Sequence, residues 1–411
     1  MSFESPIIDK LVRSDSEALG EELLSITQQD NIRFFEKCVN RRWGLGQNIV
    51  LSWCRVPSAI QLLMVPHYFL GNFSARSNCE IISDHPVNEL VVKLISGNRE
   101  LTLSELTSYG RLLNIDPTEI KLPTPLHYTP LSKSIIEQII RRYSVNYVES
   151  RAVVLFDIAG FGKLQPFEQM SQLNSLAYSL NSAHKKLLSR KINIHFARST
   201  TGDGFYVWNR SLDIFANVNL FHFLHLVLAD NAIAQSKSSG KVTPKIKAAY
   251  HIGSHYEFHQ AEGINPSYYS YIVGNVTIQL ARMLDQTKAG QIVFGDFRCG
   301  FPTSCNEDAY LVEKDTIGFI ERSAKYLNDL VGIRMSGGVI TKVRCYLTGE
   351  QSPAAGRRKT CIRVVDKHDQ ICHAYNARIQ IYRHNADSIT MGLEDNHIPR
   401  ETKSYIRETS Y

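Results

Sequence analysis

Two short segments constrain this chain more than any others: Leu155-Phe156-Asp157-Ile158-Ala159-Gly160-Phe161 and, 46 residues after Asp157, Thr201-Gly202-Asp203-Gly204-Phe205. Each puts one carboxylate where apolar chain gives way to glycine. The run Ala152-Val153-Val154-Leu155-Phe156 reads as a buried strand whose end delivers Asp157 into a glycine-containing turn. The second segment lies between Ile192-Asn193-Ile194-His195-Phe196 and Phe205-Tyr206-Val207-Trp208, the pattern of a β-hairpin with an acid at its tip. Two acids delivered this way on neighbouring strands make a site for hard divalent cations, which take oxygen ligands and bring phosphates with them.

The chain has 411 residues, too many for one ordinary core, so two or three domains are expected. A hydrophobic fraction of 43% and a charged fraction of 21% are those of a soluble globular protein. The net charge of +6 is mild and suits a small anionic ligand. No basic run is interleaved with aromatics, so a nucleic-acid partner is not expected. Eight cysteines are scattered without a Cys-x-x-Cys pair, as in reduced, mostly buried thiols of a cytoplasmic protein. The start, Met-Ser-Phe-Glu-Ser-Pro, is not a signal peptide. The most apolar stretch, Ala59 to Phe73, is interrupted by Pro66 and His67 and is shorter than the roughly 20 residues of a spanning helix, so no membrane partner is expected.

Helical spacing of leucine and isoleucine dominates from residue 7 to about 110, predicting a mainly helical region over 1–120. Three prolines between Lys121 and Pro130 mark a linker, followed by a lead-in helix from Ile135 to Tyr143, over 121–145. The central region, 146–304, alternates: strand 152–157, helix 166–190, hairpin 192–208, helix 211–234, strands 245–253 and 268–273, helix 275–286 and strand 291–295. That order indicates an α+β fold with helices packed on a mixed sheet. Residues 305–411 read as a small β-rich region with a helix from Thr316 to Leu330, strands Gly338–Leu347 and Cys361–Tyr382, and turns at Arg357-Arg358-Lys359 and Lys367-His368-Asp369.

Five blocks in order resemble the catalytic domain of class III nucleotide cyclases, over about 150 of the 411 residues. They are Phe156 to Phe161; Gly202-Asp203-Gly204; His251-Ile252-Gly253; the helix Gly274-Asn275-Val276-Thr277-Ile278-Gln279-Leu280-Ala281-Arg282; and Ala289-Gly290-Gln291-Ile292-Val293. The resemblance implies that Asp157 and Asp203, with the Ile158 carbonyl, hold two divalent cations, Mg²⁺ or Mn²⁺. It implies that Phe156 and the turn Ala159-Gly160-Phe161-Gly162-Lys163 meet the triphosphate at the start of the next helix, where the helix dipole favours anions. Arg282 would neutralise charge on the α-phosphate, and a homodimer would complete each site, one copy giving the acids and the other Arg282 and the base pocket.

The chain departs from the purine members of that family. Where they read the base with Lys or Glu and with Asp or Cys, it carries Ser199 and Tyr271. A short neutral residue and a large one favour a one-ring base, and the nearest family reading is the pyrimidine cyclases of the Pycsar antiphage systems, with CTP slightly ahead of UTP and a separate cyclic-nucleotide effector. The region after 305 would then be a sensor. The family asparagine that supports the transition state aligns with Ile278, and Asn275 lies nearly one turn earlier. Two alternatives stay open: a purine cyclase using other base contacts, and a catalytically degenerate nucleotide-binding receptor. Histidines 251, 255 and 259 recur every four residues, yet a metal site there is disfavoured because 251 falls in a strand. His368 and His373, with Tyr375 to Arg378, form a polar cluster that fits a sensor site or a plain hairpin.

Overall fold

In the computed structural model the described residues are 24–44, 46, 49–72, 86–192, 194–211, 213–262, 267–303, 309–352, 356–365, 370–398 and 403–405. The chain divides into two compact units, one of residues 1–148 and 256–271, the other of residues 149–255 and 272–411.

The first unit contains helices α1 (Ile26–Gly44), α2 (Pro86–Ser96), α3 (Leu103–Leu113) and α4 (Pro130–Arg142), as the spacing predicts. It also holds an antiparallel sheet that helical periodicity did not reveal: β1 (Ile49–Val56), β2 (Ala59–Val65) and β3 (Thr118–Lys121), in that order. The apolar stretch from Ala59 is thus a strand ended by Pro66. Both sheet faces are covered, which is why β1 and β2 are apolar throughout. Val50, Trp53, Ile60 and Leu62 pack with Phe35 of α1 and Ile136 and Ile139 of α4. Leu51, Cys54, Leu63 and Val65 pack with Leu94 of α2 and Leu106 of α3.

The three-proline segment lies within this unit rather than at its edge. Gln28 Nε2 donates to the Pro125 carbonyl at 3.2 Å, Asn31 Nδ2 donates to the Thr124 carbonyl at 3.0 Å, and the His127 amide donates to Gln28 Oε1 at 2.9 Å. Arg99 is buried and gives hydrogen bonds to the carbonyls of Leu51 at 2.8 Å and Val145 at 2.6 Å, and to Asn146 Oδ1 at 3.0 Å. Burial pushes its guanidinium down to about 10, so it stays charged at neutral pH.

The second unit is the expected α+β fold: a large mixed sheet with helices packed on it. Its elements are β4 (Asn146–Ile158, beginning in the first unit), α5 (Pro166–Ser189), β5 (Phe196–Thr200), β6 (Gly204–Asn209), α6 (Ala216–Lys237), β7 (Ile246–Glu262, ending in the first unit), β8 (Ser267–Val273, mostly in the first unit), α7 (Asn275–Asp285), β9 (Ile292–Gly295), β10 (Arg298–Pro302), β11 (Leu311–Asp315), α8 (Thr316–Ser323), β12 (Arg334–Met335), β13 (Gly338–Leu347), β14 (Gly349–Ser352), β15 (Gly356–Val365), β16 (Ile371–His384), β17 (Ala386–Met391) and β18 (Lys403–Tyr405). The main path of the sheet is β12-β13-β16-β9-β7-β4-β6-β5. β7 and β9 are parallel; β4 with β6, β5 with β6, and β9 with β16 are antiparallel.

Alternation explains the apolar run of β4. Ala152, Val154 and Phe156 enter the main core with Leu176, Leu180 and Ala183 of α5, the apolar helix α6, and Phe319 of α8. Val153 and Leu155 enter a second core with Val276, Leu280 and Met283 of α7. Neither face meets water, so neither needs polar residues.

Residues after 305 are β-rich, as read, but the boundary at 304 separates nothing. Ala374 of β16 pairs with Gly295 of β9, and Val343 of β13 with Ile381, so these strands continue the same sheet. Periodicity identifies strands without identifying their partners. Arg357-Arg358-Lys359 stands in β15, paired with β14, rather than in a turn. The proposed helix from Thr316 is α8 followed by a 3₁₀ turn, Tyr326–Leu330. The readings at residues 7–23 and at Lys367-His368-Asp369 lie outside the described residues. No helix among the described residues is long and apolar enough to cross a membrane.

Candidate functional site

The two glycine-flanked acids come together. Asp157 pairs with Gly204 across β4 and β6, and the Ile158 amide donates to the Asp203 carbonyl at 3.0 Å. This closeness depends on Gly204: a Cβ there would stand 2.0 Å from the Phe156 carbonyl oxygen. The hairpin tip turns at Gly202, whose φ of +97° suits glycine, and is closed by the Thr201 amide donating to the Gly204 carbonyl at 3.0 Å. Thr201 Oγ1 donates to Asp203 Oδ1 at 3.2 Å.

Sequence reasoning missed a third member. Lys247, near the start of β7, places Nζ 2.8 Å from Asp157 Oδ2 and also donates to the Leu284 carbonyl in the last turn of α7 at 3.1 Å. Its signal was a lone cation in the otherwise apolar run Ile246-Lys247-Ala248-Ala249-Tyr250. Burial raises the proton affinity of the Asp157 carboxyl; Lys247 pulls it back down, and the neighbouring Asp203 carboxylate raises it further. The net direction is upward. A second positive charge would relieve that strain, which makes the pair a fit for divalent cations: two carboxylates supply hard oxygen donors, and phosphates and water complete the coordination. Ile158 has its side chain in the core, so any contribution is through its carbonyl. Among the described residues no group of three or more His, Cys, Asp and Glu is gathered.

The turn after β4 differs from the expectation. The Ala159 amide is already committed to the Lys245 carbonyl at 2.9 Å, and Phe161–Lys163 forms a single 3₁₀ turn. α5 begins only at Pro166, and Glu168 caps it by accepting from the Gln165 amide at 3.1 Å. The N-cap amide of that helix is therefore committed to a carboxylate of its own first turn. Gly160, with φ of +71°, and Gly162 have open space where a Cβ would be, and Lys163 is exposed beside them. Phe156 is wholly buried in the main core and serves packing.

Asn275, Ile278 and Arg282 recur at helical spacing on one stripe of α7, while Val276, Leu280, Met283 and Leu284 form its buried side. Asn275 is exposed, Ile278 is 50% exposed and Arg282 is half-buried. The helix start is set by Gly274, where a Cβ would meet His255 Cα at 2.7 Å, and by the Gly274 amide donating to Thr277 Oγ1 at 3.1 Å. Tyr206 Oη donates to the Thr277 carbonyl at 3.1 Å. Ser199 sits half-buried on β5, opposite Tyr206, in the second unit. Tyr271 belongs to the first unit, where it stacks on Phe258 with ring centroids 5.3 Å apart.

Histidines 251, 255 and 259 all fall in β7, so successive members are about 13 Å apart and cannot share one ion. In the polar cluster, Asn376 is buried and donates to Thr348 Oγ1 at 3.0 Å and to the Leu393 carbonyl at 2.9 Å. Tyr375 and Ala377 are in the main core, so this stretch is strand packing.

No protein-family model matches the chain, and no curated protein matches it either. Solved structures similar to it include the catalytic core of a rhodopsin-guanylyl cyclase with converted specificity in complex with ATPalphaS, at 13% identity over 58% of this chain and 98% of that one, TM-score 0.31. The adenylyl cyclase CyaB from P. aeruginosa is 12% identical over 59% of this chain and 100% of its own, TM-score 0.30. The guanylyl cyclase Cya2 is 9% identical over 56% and 92%, TM-score 0.29. At such identities and scores, what the chain does has to be argued from its own residues.

Proposed function

We propose that the chain is a nucleotide cyclase, converting a nucleoside triphosphate to a 3′,5′-cyclic nucleotide and pyrophosphate. The observation that carries this reading is the Asp157–Asp203 pair, forced together by Gly204 and held beside Lys247. Asp157 and Asp203, with the Ile158 carbonyl, hold two divalent cations, Mg²⁺ or Mn²⁺. When bound, the cations supply the positive charge that acidifies the ribose 3′-hydroxyl and neutralises the phosphates. The 3′-hydroxyl releases its proton to water, its oxygen forms a bond to the α-phosphorus, the bond from that phosphorus to the bridging oxygen breaks, and pyrophosphate leaves. Lys247 keeps Asp157 ionised and fixes its direction. Gly160, Phe161, Gly162 and Lys163 flank the triphosphate, and Ala159 contributes shape rather than its amide.

Arg282 and Asn275 act from a second copy of the chain, on the α-phosphate and the ribose, so the working form is a homodimer. Their outward stripe on α7 supports this. Ser199 reads the base, and its short neutral side chain supports a pyrimidine, CTP ahead of UTP. The resemblance to the pyrimidine cyclases of antiphage systems further implies a cytoplasmic signal generator with a separate effector. Ile278, half exposed where the family places asparagine, favours one other reading, a degenerate domain that binds nucleotide without turning it over.

One measurement separates them: purified protein with each of the four nucleoside triphosphates and Mn²⁺, with the product identified by mass. Cyclic CMP or cyclic UMP in excess is expected. A purine product alone removes the pyrimidine reading, and nucleotide binding without any cyclic product removes the enzyme.

A further inference from the structure

The sheet face on which α7 packs is covered along only part of its length. On β16 the even-numbered side chains point to it. Cys372 and Ala374 are buried in the core formed with α7, and Asn376 is buried beyond them. Arg378, Gln380 and Tyr382, further along the same face, are only half-buried. The register of β13 places Tyr346 opposite Arg378, Arg344 opposite Gln380 and Lys342 opposite Tyr382, so all six share one surface. Lys342, Arg344 and Tyr346 are exposed. On the reverse of the same strands Ile340, Val343, Cys345, Ile379 and Ile381 lie in the main core. One side of this strand pair is therefore apolar and packed, while the other presents cations and tyrosines.

Arg378 is neutralised by Glu394 at 2.8 Å, but Lys342 and Arg344 make no ion pair with another described residue. Arg344 lies over the Tyr382 ring, 5.9 Å from its centroid. In the register Arg344 stands in the row between the two tyrosines, which are four positions apart, roughly 13 Å. Two ring platforms with a cation between them and another at the edge match a ligand that alternates flat apolar groups with negative charges.

We infer that this face binds single-stranded nucleic acid, with phosphates at Lys342 and Arg344 and unpaired bases stacked on Tyr346 and Tyr382. A duplex keeps its bases stacked on one another and has no use for the rings; an acidic peptide would use the cations alone. Sequence reading excluded a nucleic-acid partner because it looked for a basic run. Here the residues alternate along two strands more than 30 residues apart, and only their pairing assembles them. None belongs to the proposed catalytic machinery, so the inference stands or falls separately from it.

The test is fluorescence anisotropy of the full chain with labelled mixed-sequence 20-nucleotide RNA and DNA strands, their duplexes, and poly-glutamate as competitor. Binding of a single strand that weakens linearly in log salt is expected, and the RNA and DNA arms identify which strand is preferred. Lys342→Ala with Arg344→Ala weakens it about tenfold or more and flattens the salt slope by about 1.4. Tyr346→Ala weakens it about five- to tenfold, whereas Tyr346→Phe retains it. All variants keep their melting temperature and cyclic-nucleotide output, since these side chains face solvent. No binding at 50 mM salt, duplex bound as tightly as single strands, or poly-glutamate competing as well while Tyr346→Ala is silent would each overturn the inference, the last in favour of an acidic peptide.

Discussion

The hairpin that delivers the acids and the helix stripe that carries Arg282 are built on opposite principles. Asp157 and Asp203 are held by backbone: strand pairing, a glycine that admits no Cβ, and a main-chain hydrogen bond between Ile158 and Asp203. Asn275, Ile278 and Arg282 are carried by side-chain spacing along one helix and face away from its buried side. In the proposed dimer such a site is rigid where charge is concentrated and open where the second copy arrives. The difference also says where damage should be absolute and where it should be graded.

The largest effect falls on the rigid part. Asp157→Ala or Asp203→Ala should lower turnover by at least about 1,000-fold while changing stability by no more than about 1 kcal/mol, checked by product mass and thermal melting. Activity surviving in either would end the two-cation account. Gly204→Ala should act through structure instead, costing about 3 kcal/mol because the new methyl meets a carbonyl that cannot move without breaking the β4–β6 pairing. A melting temperature equal to that of the parent would show that the glycine is dispensable.

The stripe is tested by mixing. Asp157→Ala and Arg282→Ala chains should each be inactive alone, and combining them should restore about a quarter of parental activity, because half the dimers carry one intact site. No recovery on mixing would place Arg282 in the same chain's site or outside it. Lys247→Met should cut turnover about tenfold and move the acid limb of the pH–rate profile upward. The sign follows from its position: without the ammonium, Asp157 holds its proton to a higher pH and offers its carboxylate over a narrower range. An unshifted profile would relieve Lys247 of that role. The smallest effect is expected from Ile278→Asn, a gain of a few fold in kcat with unchanged melting, since the side chain is half exposed. A loss would mean that the apolar side chain has its own use on the stripe.

Much of this was legible before any coordinates. The continuous apolar run of β4, the glycines around Asp203 and the periodicity of α5 and α7 are local signals, and each marked its element within a few residues. What escaped was long-range or ambiguous. Lys247 is 90 residues from Asp157, and nothing in its neighbours states that β7 lies beside β4. Short apolar runs such as Ala59–Val65 fit a buried helix as well as a strand covered on both faces. The start of α5 at Pro166 is marked by Glu168 accepting from the Gln165 amide, a contact that local apolar periodicity does not encode. The strands after residue 305 were seen as strands, but their place in the same sheet depends on register, which local pattern does not encode.

The buried guanidinium of Arg99 bears on how the chain can be divided. The three-proline segment invites a cut near residue 120, yet a fragment ending there would leave a charge in an apolar interior without Val145 and Asn146 to receive it. A fragment starting there would expose the apolar side of α4, built to cover β1 and β2. The unit boundary after Val148 is no easier, because it falls inside β4, whose far end presents Asp157. The chain crosses between the units there and again after residues 255 and 271, and the first of these crossings lies in the strand that carries Asp157, so shortening this protein from its N-terminus cuts into the strand that presents this acid.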